Sequence, residues 1–319
     1  LALGLGWGVR ASGLYLYEIT LWGHTTPLPI LFIGAFIAAH LVIVVCRSHL
    51  NGEVFQRYRL RFVVAPLVLL VAVYASTWAM ALVALISVWW DVYHSGLQTF
   101  GLGRIYDLRQ GNDLDLGRRL DWILNLLLYV GPILAGATLL THLELSLTYT
   151  QLATHAFDHV PAFAGTHQRP LTWAVSLGGV AFLAYYVFAY ARLARSGYRV
   201  SWQKVALLVS TGLCSIVAWG FNAFGEAFFI MNFFHALQYF GIIWWSEGER
   251  LTRRLRLSEA PGGRWLALFT FLWIAALYGL VTKVFGPANR LITSLALVVS
   301  IMHFWYDGFV WSVRKKMIP

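Results

Sequence analysis

Apolar stretches of about 20 residues, the length that crosses a bilayer as a helix, recur from near the start of this 319-residue chain to its end. Only 12% of the residues are charged and 59% are hydrophobic, whereas a soluble domain carries about 25% charged residues. Water is therefore not the main solvent. The sequence predicts an all-α fold, a polytopic transmembrane helical bundle of about nine spans. These are Pro27 to Cys46, Phe62 to Tyr74, Thr77 to Phe100, Trp122 to His142, Leu171 to Ala191, Val205 to Phe221, Ala223 to Trp245, Trp265 to Val284 and Leu291 to Val313. The run from Phe62 to Phe100 is too long for one crossing at about 1.5 Å per residue, and a break is placed at Ala75-Ser76-Thr77. Residues 27–319 read as one transmembrane domain. Residues 1–26 read as an N-terminal segment, either an extra span or an interfacial helix, because their apolar run is interrupted by Arg10 and Glu18.

The net charge of +10 is distributed in a way that excludes nucleic acid as the natural partner. All but four of the 24 Lys and Arg residues fall in five short segments: Arg47 to Arg61, Arg104 to Arg119, Arg192 to Lys204, Arg250 to Arg264 and Arg314 to Lys316. With nine spans, every one of these segments lands on the same side. Basic residues mark the cytoplasmic loops of membrane proteins, so the carboxyl terminus is expected in the cytoplasm. Anionic lipid headgroups on that face are the expected partners, and the expected location is a bacterial inner membrane. Cys46 and Cys214 sit in apolar runs and do not indicate a disulfide framework.

Ionisable groups within a span are costly and mark function by default. His40, His94, His235 and His303 fall in the first, third, seventh and ninth spans, all running inward. Counted from the inner boundaries they lie about 10, 15, 18 and 16 Å deep, so they can share one layer. Three of them have polar neighbours on the same helical face. Asp91 and Gln98 flank His94, Asn232 and Gln238 flank His235, and Asp307 follows His303 by one turn. A metal-bound imidazole usually donates its second N–H to such a group. The pattern predicts a metal site made by the four histidines, supported by Asp91, Gln98, Asn232, Gln238 and Asp307. The alternative for each histidine alone is a helix-to-helix hydrogen bond worth about 1 kcal/mol.

Other polar residues read more plainly. Glu226 is either a remote ligand or a partner for Lys283 or Arg290. His155 and His159 share a helical spacing but lack a third ligand at defined spacing. His24 and His49 are expected to contact solvent or headgroups. Aromatic residues, 16% of the chain, crowd the histidines: Trp89, Trp90, Tyr93, Phe233, Phe234, Tyr239, Phe240, Phe304, Trp305 and Tyr306. They form either an interfacial belt with lipid-facing rings or the wall of an apolar tunnel for a long lipid or isoprenoid.

The strings HALQYFGIIW (His235 to Trp244) and MHFWYDGFVW (Met302 to Trp311), together with histidines on several spans, resemble the Brp/Blh-type bacterial membrane β-carotene oxygenases. That resemblance implies a histidine-bound iron and oxidative cleavage of a carotenoid to retinal-like aldehydes. It implies His40, His94 and His235 as ligands with His303 and Asp307 nearby. Where that family has a paired His-x3-His, this chain has His235 followed by Gln238 and Tyr239. The leading expectation is an integral-membrane, non-haem metal-dependent oxidoreductase or oxygenase acting on a lipophilic substrate. A haem-binding electron-transfer subunit is the first alternative. A transporter or an accessory subunit bound to partners in a larger membrane complex is the second.

Overall fold

The computed structural model describes residues 2–13, 17–21, 23–148 and 159–311. Among the described residues the fold is all-α apart from one small hairpin. Helix α1 (Ala2–Ala11) is followed by strands β1 (Glu18–Leu21) and β2 (His24–Pro27), paired antiparallel with Glu18 opposite Pro27 and Leu21 opposite His24. The helices α2 (Leu28–Val42), α3 (Val44–Ser48), α4 (Gly52–Ala75), α5 (Thr77–Arg109), α6 (Arg118–Ala135) and α7 (Leu139–Thr148) come next. They are followed by α8 (His159–Arg195), α9 (Trp202–Phe221), α10 (Phe224–Arg254), α11 (Gly263–Phe285) and α12 (Arg290–Val310). Seven of these, α4, α5 and α8 to α12, are long and apolar enough to cross a membrane. The basic segment Arg314 to Lys316 and the carboxyl terminus lie outside the described residues.

Several helices outrun the apolar stretches that predict them. Helix α5 continues from Phe100 to Arg109, α8 runs to Arg195 and α10 to Arg254. Their charged ends emerge as helix because nothing in those segments breaks one. The break expected between α4 and α5 is present. Ser76 is extended (φ −121°, ψ 121°) and its Oγ accepts from the Ala79 amide at 3.2 Å, which caps α5. Helix α4 starts earlier than its apolar stretch, with the Asn51 side chain accepting from Val54, and kinks at Tyr58. The other two stretches read as spans are each divided. Pro27 to Cys46 becomes α2 and the five-residue α3. Trp122 to His142 breaks at Gly136 (φ −72°, ψ 158°), where the Ala137 amide donates to the Gly220 carbonyl of α9 at 2.9 Å instead of continuing its own helix.

Two compact units form, residues 1–87 with 232–312, and residues 88–231. In the first, α2 and α11 pack with backbones in contact. A Cβ on Gly279 would fall 1.9 Å from the Ala35 carbonyl oxygen, so only glycine permits this approach. Gly279→Ala is therefore expected to destabilise the protein by about 1–3 kcal/mol. Gly241→Ala, where an added methyl meets nothing within 4 Å, is expected to be neutral or slightly stabilising. Thermal unfolding of the two variants in detergent checks the difference.

The second unit is held by a buried ion network. Oδ2 of Asp107 and Oδ2 of Asp121 each accept from both Arg104 Nη1 (2.7 and 2.6 Å) and Lys204 Nζ (2.7 Å each). Tyr186 and Tyr190 donate to the other oxygen of Asp121 at 2.8 and 2.6 Å, and Tyr198 donates to Asp107. Two cations and two carboxylates balance, and the tyrosines fill the remaining lone pairs, which is what makes burial of the charges tolerable. Tyr198 lies between α8 and α9. Burial, with the Asp107 carboxylate beside it, pushes its phenol well above the ordinary value.

Candidate metal centre

Three of the four intramembrane histidines meet inside the first unit. His40 comes from α2, His235 from α10 and His303 from α12, and all three are fully buried. Their ring centroids are 5.1 Å apart for His40–His235, 5.1 Å for His40–His303 and 6.3 Å for His235–His303. One nitrogen from each lies within 4.8 Å of the others. His40 is thus the centre of the group, although the sequence gives it no same-face polar neighbour. Neither of its ring nitrogens has a hydrogen-bond partner among the described residues. The Ile37 carbonyl, one turn back, approaches it without meeting hydrogen-bond geometry.

His303 is oriented from both sides. Its Nδ1 lies 3.2 Å from the Leu41 carbonyl, which can only accept, so Nδ1 carries a proton and Nε2 is the nitrogen left to act as a ligand. That Nε2 faces Asp307 Oδ2 at 3.9 Å. Asp307 is itself held, because Tyr239 Oη and Trp311 Nε1 both donate to its Oδ1, at 2.8 and 3.1 Å. The Tyr239 ring packs 4.5 Å from His303 and 6.4 Å from His235. Tyr239 is the site residue that sequence reasoning passed over as one aromatic among many. The signal was its spacing, one turn after His235, which places both on one face of α10.

The remaining candidates are distributed as follows. Asn232 and Gln238 lie on α10, buried and half-buried. His94 and Asp91 are buried on the part of α5 that belongs to the second unit, with Gln98 half-buried one turn on. His142 is buried in the second unit, with Nε2 2.8 Å from the Trp219 carbonyl. His49 is half-buried and satisfied by protein: its Nδ1 lies 2.8 Å from Ser48 Oγ and its Nε2 3.2 Å from the Phe62 carbonyl. Burial lowers its pKa, and the Phe62 carbonyl opposes this only in part. Arg290 donates to the Tyr74 carbonyl at 2.7 Å. His155 lies outside the described residues, so its pairing with His159 does too.

Below the histidines, toward the ends of α3 and α10, Glu247 is fully buried and accepts from Arg47, Arg250 and Asn51. The Arg47 guanidinium lies 5.1 Å from the centre of the Trp311 ring. Trp311 thus bridges the carboxylate beside His303 and this ionic group.

Three imidazoles on separate helices, in a water-excluded layer, with a carboxylate and a phenol against one of them, form a donor set suited to a transition-metal ion. The chain matches no protein-family model, no curated protein and no solved structure.

Proposed function

We propose that His40, His235 and His303 hold a transition-metal ion as a non-haem iron centre, and that the protein is an integral-membrane oxidoreductase of the oxygenase type. Its substrate is a lipophilic isoprenoid, as the resemblance to the Brp/Blh-type oxygenases implies, and its place is a bacterial cytoplasmic membrane. The observation that carries this reading is the convergence of three fully buried imidazoles from α2, α10 and α12. Two details support it. The buried nitrogens of His40 have no protein partner among the described residues, and burying such groups unsatisfied costs about 1–3 kcal/mol. The Asp307 oxygen 3.9 Å from His303 Nε2 places a carboxylate beside the imidazoles.

The donor set favours non-haem iron over haem. A bis-histidine haem needs two imidazoles opposed across a flat slot. Here three imidazoles meet at 5.1, 5.1 and 6.3 Å, with the Tyr239 ring packed against His303, a three-point cluster of ligands and not a single opposed pair. Three nitrogen ligands leave positions open for a small molecule or substrate, as catalytic sites do. Bound iron would supply activation of O2. The protein's own residues hold the geometry: the Leu41 carbonyl fixes the tautomer of His303, and Tyr239 and Trp311 fix the carboxylate of Asp307.

The test is consumption of O2 by the purified, iron-loaded protein in the presence of a long polyene isoprenoid. The expected result is formation of aldehyde products, loss of both activities in His235→Ala, and an absorption spectrum without a Soret band. A Soret band in the purified protein, or no isoprenoid-dependent O2 uptake by a protein that carries stoichiometric iron, would overturn the reading. Asp307→Asn is expected to weaken metal binding about 10- to 100-fold, the usual cost of losing an outer-shell partner, and competition with a chelator measures it.

A further inference from the structure

A cavity of about 480 Å³ opens in the second unit where the end of α5 meets the start of α6. Its lining divides by chemistry. Leu97, Phe100 and Trp122 make an apolar floor, and Arg118, Arg119 and Asp115 surround the polar side. Arg118 lies 5.1 Å over the Phe100 ring, which positions its guanidinium against the floor. Arg119 is exposed and makes no hydrogen bond or ion pair among the described residues. Trp122 is also exposed, and tryptophan at a helix end is the side chain that settles at headgroup level. The two guanidiniums outweigh the single carboxylate, so the polar side is cationic. Loop charge assigns this end of α5 and α6 to the cytoplasmic face. A pair of arginines over an aromatic floor, at that depth, fits an amphiphile with an anionic head: guanidinium forks match phosphate oxygens in pairs, and the floor takes the first carbons of the chains.

We propose that this cavity binds the headgroup of an anionic phospholipid of the cytoplasmic leaflet. Arg118 and Arg119 hold the phosphate, and Leu97, Phe100 and Trp122 hold the glycerol and upper acyl region. The experiment is native mass spectrometry of the full chain, released from detergent micelles containing equal amounts of phosphatidylglycerol and phosphatidylcholine. The expected result is retained phosphatidylglycerol in preference to phosphatidylcholine, at least tenfold less of it in the Arg118→Gln/Arg119→Gln variant, and unchanged retention in Arg264→Gln, an exposed arginine elsewhere. The single variant Arg119→Gln, at an exposed position, guards against misfolding and is expected to lose several-fold. Inorganic phosphate added in excess is expected to leave retention unchanged, because the apolar floor contributes to the site. Equal retention of the two lipids, retention that survives the double substitution, or full displacement by phosphate would each overturn the proposal.

Discussion

Replacing His40 with leucine is expected to abolish stoichiometric metal binding while leaving the helices folded. His40 lies between the other two histidines, 5.1 Å from each ring, so its loss removes the ligand common to both close pairs. A lost ligand costs more than the 10- to 100-fold of an outer-shell partner, which puts the remaining two imidazoles out of competition with a chelator. Stability is expected to move little or to rise in the metal-free protein. The native side chain buries two nitrogens that no described residue satisfies, and leucine fills a similar volume without polar atoms. Metal content by elemental analysis, with thermal unfolding of the metal-free wild type and variant, separates the two effects. A variant that keeps its metal would show that His40 is no ligand. A metal-free variant that unfolds far below the metal-free wild type would show that His40 is a structural hydrogen-bonding residue.

Lys204→Met is expected to have the largest effect on stability, a loss of about 3–5 kcal/mol. Lys204 Nζ reaches both Asp107 and Asp121 at 2.7 Å, and all four members of the network are nearly inaccessible to solvent. Without it, two buried carboxylates face Arg104 alone, and the uncompensated charge is what destabilises. The double variant Lys204→Met/Asp107→Asn restores charge balance and is expected to recover at least half of the loss, which thermal unfolding of the two variants in detergent measures. A single variant that unfolds like the wild type would mean that the network contributes nothing to the fold.

The helices and the histidine layer were legible because their signals are local. Apolar length gave the seven long helices, and the loop-like Ser76 between two apolar runs gave the break before α5. Depth counting allowed His40, His94, His235 and His303 to share one layer, and one nitrogen from each of His40, His235 and His303 lies within 4.8 Å of the others. Other features depend on distant residues. The break at Gly136 needs the carbonyl of Gly220, 84 positions away, to receive the Ala137 amide. The network of Asp107, Asp121 and Lys204 joins side chains 83 and 97 positions apart. In the sequence Lys204 belongs to a basic segment expected against anionic headgroups, and only packing shows that it turns inward to Asp107 and Asp121. His40 has no polar neighbour on its own helical face, and its partners are histidines on other helices.

X-ray absorption at the metal edge of the purified wild-type protein tests the central claim most directly. The account predicts one equivalent of iron per chain, with about three imidazole nitrogens in its first shell at about 2.0–2.2 Å. A sulfur shell at about 2.3 Å, a porphyrin signature, or protein that carries no stoichiometric metal after iron loading would contradict it.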